Sequence, residues 1–69
     1  MKALDLVRVA AARIGGETPR LDAELIVAHA LGISREALLL GNPEVAAGAA
    51  EAFIIRRAAG EPVAYILGR

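Results

Sequence analysis

The sequence predicts an all-α protein, a compact orthogonal bundle of about five short helices. Of the 69 residues, 57% are hydrophobic but only 3% are aromatic, and alanine supplies much of the apolar content. Alanine has the highest helix propensity and lets neighbouring helices approach closely. Glycine, proline and small capping residues divide the chain into five segments. The predicted helices span residues 3–14, 19–31, 34–40, 43–59 and 62–67.

The first predicted helix carries an apolar stripe along one face, with side chains at offsets of 0, 3, 7 and 10. The stripe consists of Leu4, Val7, Ala11 and Ile14. We expect this helix to end at Gly15 and Gly16, because glycine tolerates the left-handed conformation of a helix C-cap.

The second predicted helix is apolar around most of its circumference, which indicates a central position. Thr18 is the predicted N-cap and Pro19 the first helical residue, where proline loses no hydrogen bond. The polar positions of this helix are Asp22, Glu24 and His29. Gly32 ends it.

The second half of the chain repeats this alternation of helix stops and starts. Ser34 is predicted to cap the third helix, and Asn42 the fourth, with Pro43 as its first residue. Gly60 ends the fourth helix. Pro62 opens a final short helix, or residues 63–66 begin a strand; the pattern fits both.

Composition excludes several classes of protein. The length fits one small domain. With no cysteine and one histidine, disulfide scaffolds and Cys/His metal clusters are excluded. Eight basic and eight acidic residues provide no net field to attract nucleic acid or an anionic membrane. No apolar run approaches the roughly 20 residues of a membrane-spanning helix. We therefore expect a cytoplasmic protein that binds no metal and no membrane, and the charge balance disfavours nucleic acid as a partner.

The sequence contains no recognisable catalytic constellation or cofactor-binding loop. Ser34 would need a base oriented beside it to act as a nucleophile, and His29 lies five residues earlier, across a helix stop. Helix capping explains Ser34 better, and His29 fits a surface position. We predict no catalytic, cofactor-binding or metal-binding residue in this chain.

Residues 28–35 resemble the turn of a helix-turn-helix motif, in which glycine permits the bend and serine caps the second helix. Arg35 and Glu36 are followed by four apolar residues, so the second helix has few side chains for reading bases. A DNA-binding module is kept as an alternative function. A free-standing helical interaction protein is another.

Arg56 and Arg57 lie at the end of the fourth predicted helix, where cations interact favourably with the helix dipole. We expect Arg57 to contact Asp22 or Glu24, because a long cation beside an apolar helix needs an acidic partner.

Three segments resemble a known family: PRLDAEL at residues 19–25, LGISR at 31–35 and RRAAGEPVAYILG at 56–68. In this order and spacing they resemble the N-terminal domain of the bacterial release-factor glutamine methyltransferases, the HemK/PrmC family. The closing run, R-R-x-x-G-E-P-x-A-Y-I-x-G, is the most specific part. The resemblance covers essentially the whole chain from residue 4.

The resemblance implies a small helical domain that precedes a Rossmann-like methyltransferase domain. In that family, the enzyme transfers a methyl group from S-adenosylmethionine to the glutamine amide nitrogen of the GGQ motif in peptide chain release factors. The catalytic domain carries a glycine-rich loop and an N-P-P-Y motif. Residues 42–45 read Asn-Pro-Glu-Val and lack the second proline and the tyrosine. We therefore expect the catalytic domain to follow beyond residue 69, and this chain to have no cofactor.

For the family's helical domain, the resemblance implies a role in holding the release factor while the second domain performs the chemistry. The expected partners are a peptide chain release factor and the chain's own catalytic domain. Candidate partner or interdomain contacts are Arg35, Arg56, Tyr65 and Arg69. Residues with expected structural roles are Asp22, Glu24, Arg57, Gly60 and Pro62. We also expect Tyr65 to pack partly on the bundle and partly to present surface to the catalytic domain.

Overall fold

The computed structural model describes residues 1–68, and these residues form five α-helices. They are α1 (Ala3–Ile14), α2 (Pro19–Leu31), α3 (Arg35–Gly41), α4 (Glu51–Ala58) and α5 (Val63–Leu67). Within the described range there is no strand, only an isolated bridge between Lys2 and Glu44. The predicted all-α fold class is confirmed. Arg69 lies outside the described residues.

The core is built mainly where α1 packs on α2, with α3, α4 and α5 closing its remaining sides. Its buried hydrophobic residues are Ala3, Leu6, Val7, Ala10, Ala23, Ile26, Val27, Ala28, Leu38, Ala50, Ile54 and Ile66. Five of these twelve are alanine, which permits the close helix approach that the composition predicts. The buried face of α1 is displaced from the predicted stripe: of its members only Val7 is fully buried, and the other three pack at the margin of the core.

Local capping explains how α2 and α3 begin and end. Gly32 adopts the left-handed conformation (φ 70°) and caps α2, and the Ser34 hydroxyl accepts a 3.0 Å hydrogen bond from the Ala37 amide, as predicted. Thr18 differs from the prediction. It stands at the N-cap of α2, but its hydroxyl donates to Asp22 Oδ1 (3.1 Å) instead of capping the helix.

The prediction of a helix over 43–59 is wrong for its first eight residues, because residues 43–50 form extended backbone and turns and α4 begins at Glu51. The Ala3 amide donates to the Pro43 carbonyl (2.8 Å), and the Leu4 amide donates to Asn42 Oδ1 (2.9 Å). The first amides of a helix have no partner within it. Residues 42 and 43 therefore cap α1 across the fold, and Asn42, which has φ 42°, closes α3 instead of opening α4.

Residues 63–67 form a helix, so the alternative of a strand there is wrong. Gly60 has φ 99°, a conformation that favours glycine, and Pro62 is the N-cap residue of α5. α5 contacts both α2 and α4, and its Ile66 side chain joins the core. The longest helix described has 13 residues, and none of the helices in residues 1–68 is long and apolar enough to cross a membrane.

Candidate functional site: a groove between α2, α3 and α5

A groove of about 570 Å³ runs beside α2, at the turn into α3 and the end of α5. Its walls combine apolar and polar side chains: Leu21, Leu25, Ala28, His29, Ile33, Ser34, Arg35, Glu36 and Leu67. The α2–α3 turn brings Ala28 and His29 of α2 and Arg35 and Glu36 of α3 to the same groove. Concave surfaces with an apolar lining and a few polar groups are typical of ligand and peptide sites.

At the edge of the groove, the carboxylate of Glu24 is shared by two arginines. Arg20 Nε donates to Glu24 Oε2 (2.9 Å), and Arg35 Nε donates to Oε1 (2.8 Å). Glu24 is only 5% exposed, whereas both arginine side chains are largely in solvent. Burial alone raises the pKa of Glu24, but the hydrogen bonds from Arg20 and Arg35 outweigh it and hold the pKa below its ordinary value. The carboxylate is therefore ionised at neutral pH.

A second buried carboxylate, Asp22, joins α2 to the C-terminal part of the chain. Arg57 Nε donates to Asp22 Oδ2 at 3.3 Å, so the expected contact between Arg57 and an acidic residue of α2 is present. The same guanidinium donates through Nη1 to the Glu61 carbonyl (3.1 Å). Arg57 thus connects α2, α4 and the segment that leads into α5.

The structure separates the three candidate contact residues that it describes. Arg35 lines the groove and is held by Glu24. Arg56 forms an ion pair with Glu61, whose Oε2 accepts from Arg56 Nε at 2.7 Å. Tyr65 is 72% exposed on α5. Arg69, the fourth candidate, falls outside the described residues. Of the three described candidates, only Arg35 lines the groove.

No arrangement suited to catalysis is formed by the part of the chain that the structure describes. His29 is exposed and meets the Phe53 ring edge-on, with 5.3 Å between ring centroids. Ser34 caps α3, and no hydrogen bond joins it to His29. Residues 1–68 contain no cluster of three His, Cys, Asp or Glu side chains that could hold a metal ion.

These residues do not fit S-adenosylmethionine either. A glycine-rich nucleotide loop follows a strand and opens a helix. Within residues 1–68 there is no strand, and Gly15 and Gly16 lie between two helices. We derive no chemical step through that cofactor in this chain.

The helix-turn-helix alternative has a matching turn but an unsuitable second helix. α3 has seven residues, buries Leu38 and leaves Leu40 90% exposed. A recognition helix needs polar side chains that reach base edges. On α3 only Arg35 and Glu36 are charged, and Arg35 is paired with Glu24.

Sequence reasoning missed the groove itself and the part played by Arg20. The spacing of Arg20 and Glu24, four residues apart on one helix, is a signal that could have identified that pair. Arg35 joins it only because the α2–α3 turn folds back, and Leu67 reaches the groove only because α5 packs on α2. Neither of these two contacts is marked by a local pattern in the sequence.

Comparison with known proteins agrees with the fold. The family model described as the PrmC N-terminal domain matches residues 2–68. A release factor glutamine methyltransferase of Rhodospirillum rubrum is 48% identical over 58 residues, which cover 78% of this chain and 18% of that protein. Proteins of the same name match from Coxiella burnetii (45% identical; 77% of this chain, 21% of the relative) and Buchnera aphidicola (38% identical; 77% and 21%).

The chain therefore spans about a fifth of the length of the curated relatives it matches. No solved structure matches it closely enough to count as a relative. Because the family model covers nearly the whole chain and the helical fold accounts for its motifs, the chain belongs to the PrmC N-terminal domain family.

Proposed function

We propose that this chain is the substrate-docking domain of a release factor glutamine methyltransferase. The observation that carries the proposal is the family match over residues 2–68, together with relatives that bear this enzyme name. The proposed parent enzyme transfers a methyl group from S-adenosylmethionine to the amide nitrogen of the GGQ glutamine in a peptide chain release factor. Translation termination takes place in the cytoplasm, so this partner assigns the protein to that compartment.

In this proposal, docking and chemistry are divided between domains. A glutamine on a flexible loop is a small target, and contacts remote from it supply orientation and specificity. The chain contributes those contacts, while the rest of the parent enzyme holds S-adenosylmethionine and the glutamine amide. Tyr65, exposed on α5, is the proposed contact to the catalytic domain.

Enzyme kinetics test this division of labour. The Rhodospirillum rubrum relative is prepared intact, without the N-terminal segment that matches this chain, and with this chain grafted in its place. We expect the deletion to lower kcat/KM for the release factor at least about tenfold while KM for S-adenosylmethionine stays within about twofold, since only docking is lost. The graft should restore kcat/KM.

Binding of S-adenosylmethionine by the truncated enzyme serves as the folding control. Equal kcat/KM for the intact and truncated enzymes would reject the docking role. If the grafted enzyme binds S-adenosylmethionine but still has the low kcat/KM of the truncated enzyme, the docking role is rejected for this chain.

A further inference from the structure

Arg20 and Arg35 form a pair of guanidinium groups that one buried carboxylate holds in place. Each uses its Nε on Glu24, and neither makes another hydrogen bond within residues 1–68. Their terminal Nη groups therefore remain available, on side chains that are 54% and 41% exposed. Two cations share one anion, so the pair retains a surplus positive charge.

Such a pair suits a carboxylate ligand. The planar guanidinium presents parallel N–H donors that match the two oxygens of a carboxylate. Because Glu24 fixes both arginines, less side-chain entropy is lost when a ligand binds. An exposed, unfixed arginine does not have this advantage.

The apolar part of the groove lies next to the pair. Leu21 and Leu25 of α2, Ile33 of the turn and Leu67 of α5 line it. Leu21 is 40% exposed and shares the groove with the other three, so that the apolar surface here is a patch and not a single side chain. Glu36 lines the same groove and forms no ion pair within residues 1–68. The groove thus has a cationic side at Arg35, which shares the carboxylate of Glu24 with Arg20, and a separate anionic group at Glu36.

We propose that this groove binds an acidic–apolar segment of the release factor, a statement that rests on the proposed function and assigns its surface. A Glu or Asp side chain of the partner accepts hydrogen bonds from Arg20 and Arg35, and a neighbouring apolar side chain enters between Leu21, Ile33 and Leu67. Glu36 repels a carboxylate that enters in the opposite direction and so sets the polarity of the bound segment.

The test compares variants of the 69-residue chain for binding to the release factor by isothermal titration calorimetry. R20K/R35K keeps both positive charges and a partner for Glu24 but removes the paired Nη donors. We expect its Kd to rise about tenfold, which corresponds to the lower end of the range for one hydrogen bond to a charged group. L21S should weaken binding severalfold, and E36Q should strengthen it.

A matched control is available in R13K/R56K. Arg13 and Arg56 are also held by carboxylates, those of Glu51 and Glu61, and are as exposed as Arg35. Neither lines the groove or shares a carboxylate with a groove residue, as Arg20 does with Arg35. This control should bind within about twofold of the wild-type chain, because surface ion pairs outside an interface contribute little. Circular dichroism verifies that each variant is folded. An unchanged Kd for R20K/R35K, or an equal loss in R13K/R56K, would overturn the proposal.

A second probe separates failure of this proposal from failure of the docking function. The ¹⁵N-labelled chain is titrated with the capped peptides Ac-Leu-Glu-Leu-Glu-NH₂ and Ac-Leu-Gln-Leu-Gln-NH₂ and followed by NMR. We expect the acidic peptide alone to shift the amides of Leu21, Ile33 and Arg35, and R20K/R35K to abolish the shifts. If the release factor does not bind but the peptide does, the proposed function fails and the groove chemistry stands. If the peptides act alike or leave these amides unchanged, the groove chemistry fails.

Discussion

Asp22 and Glu24 lie two residues apart on α2 and are both buried, yet they pair with different arginines. Asp22 faces α4 and contacts Arg57, whereas Glu24 faces the turn into α3 and contacts Arg20 and Arg35. A buried carboxylate is stable only with such partners. The first residue therefore serves the fold, and the second prepares the surface that we propose for docking.

Replacing Arg57 with methionine tests the structural role of the contact between Arg57 and Asp22. The change leaves Asp22 buried without its cation, so we expect a loss of about 2 kcal/mol in the free energy of unfolding, measured by urea denaturation. R57M/D22N should recover part of that loss, because the unpaired charge is gone. Arg8, an exposed residue whose contact with Asp5 is 3.7 Å long, provides the control R8M, expected to unfold like the wild-type chain. Equal stabilities of R57M and R8M would contradict this role.

Asn42 combines a left-handed backbone with a side-chain cap on α1. Asn42→Gly keeps the backbone conformation and loses the hydrogen bond to Leu4, so we expect a loss of about 1 kcal/mol. Asn42→Ala adds the strain of a Cβ atom in that conformation, about 1 kcal/mol more. Urea denaturation should rank stability as Asn, then Gly, then Ala. An alanine variant at least as stable as the glycine variant would show that the backbone conformation is not strained.

At the scale of elements, α5 has one residue directed into the bundle and a neighbour directed outward. Ile66 is 4% exposed and Tyr65 is 72% exposed. We expect Ile66→Ala to lose about 2–4 kcal/mol and Ile66→Val about 1 kcal/mol in thermal or urea unfolding, because a core side chain is shortened. Tyr65→Ala should stay within about 0.5 kcal/mol. If Ile66→Val and Tyr65→Ala were equally neutral, α5 would not be part of the core.

The ends of α2 and α3 are set by local chemistry, and the sequence predicted them well. Gly32 and Ser34 act through their own backbone neighbours, and the bounds of α2 and α3 agree with the prediction to within one residue. The error at residues 43–50 has a nonlocal origin. Asn42 and Pro43 have the pattern of a helix start, but their oxygens satisfy amides of α1, almost forty positions away in the chain.

In the candidate site, too, local requirements could be predicted from the sequence and nonlocal contacts could not. The contact of Arg57 with Asp22 followed from the need of a buried charge for a partner. The groove could not be predicted, because Arg35 and Leu67 reach it through the packing of α3 and α5 on α2. Arg56 was a candidate contact, but its pairing with Glu61, five residues later, depends on the turn at Gly60.

At the scale of the whole molecule, most acidic and basic side chains within residues 1–68 are paired with each other, and this pairing determines the response to acid. The arginines that hydrogen-bond Glu51 and Glu61 lower the pKa of those carboxyls, and Glu24 and Glu44 shift in the same direction. A carboxyl with a lowered folded-state pKa stabilises the fold above its unfolded pKa, and this stabilisation disappears as the pH falls through the folded value.

We therefore expect the thermal midpoint to hold steady from neutral pH down to about 5 and to drop steadily below the ordinary glutamate pKa of 4.5. Circular dichroism melts across this range provide the measurement. Glu51→Gln should show a smaller drop than the wild-type chain, because its pair with Arg13 no longer titrates. A midpoint that rises on acidification would contradict the assignment of these ion pairs.

The distribution of these ion pairs also bears on the proposed docking function. Most charged groups are balanced in contacts that hold the helices together, whereas the surplus charge at Arg20 and Arg35 lies beside an exposed apolar surface. This is the surface that we propose for docking. Every lysine and arginine within residues 1–68 has a carboxylate partner, so this part of the chain offers few free cations for the several phosphate contacts of duplex DNA.

The docking role is tested by calorimetric titration of the release factor into the wild-type chain, with a DNA duplex as the parallel ligand. We expect one-to-one binding of the release factor that weakens as the salt concentration rises, and no binding of the duplex at the same concentrations. Binding of the duplex with no heat from the release factor would contradict it.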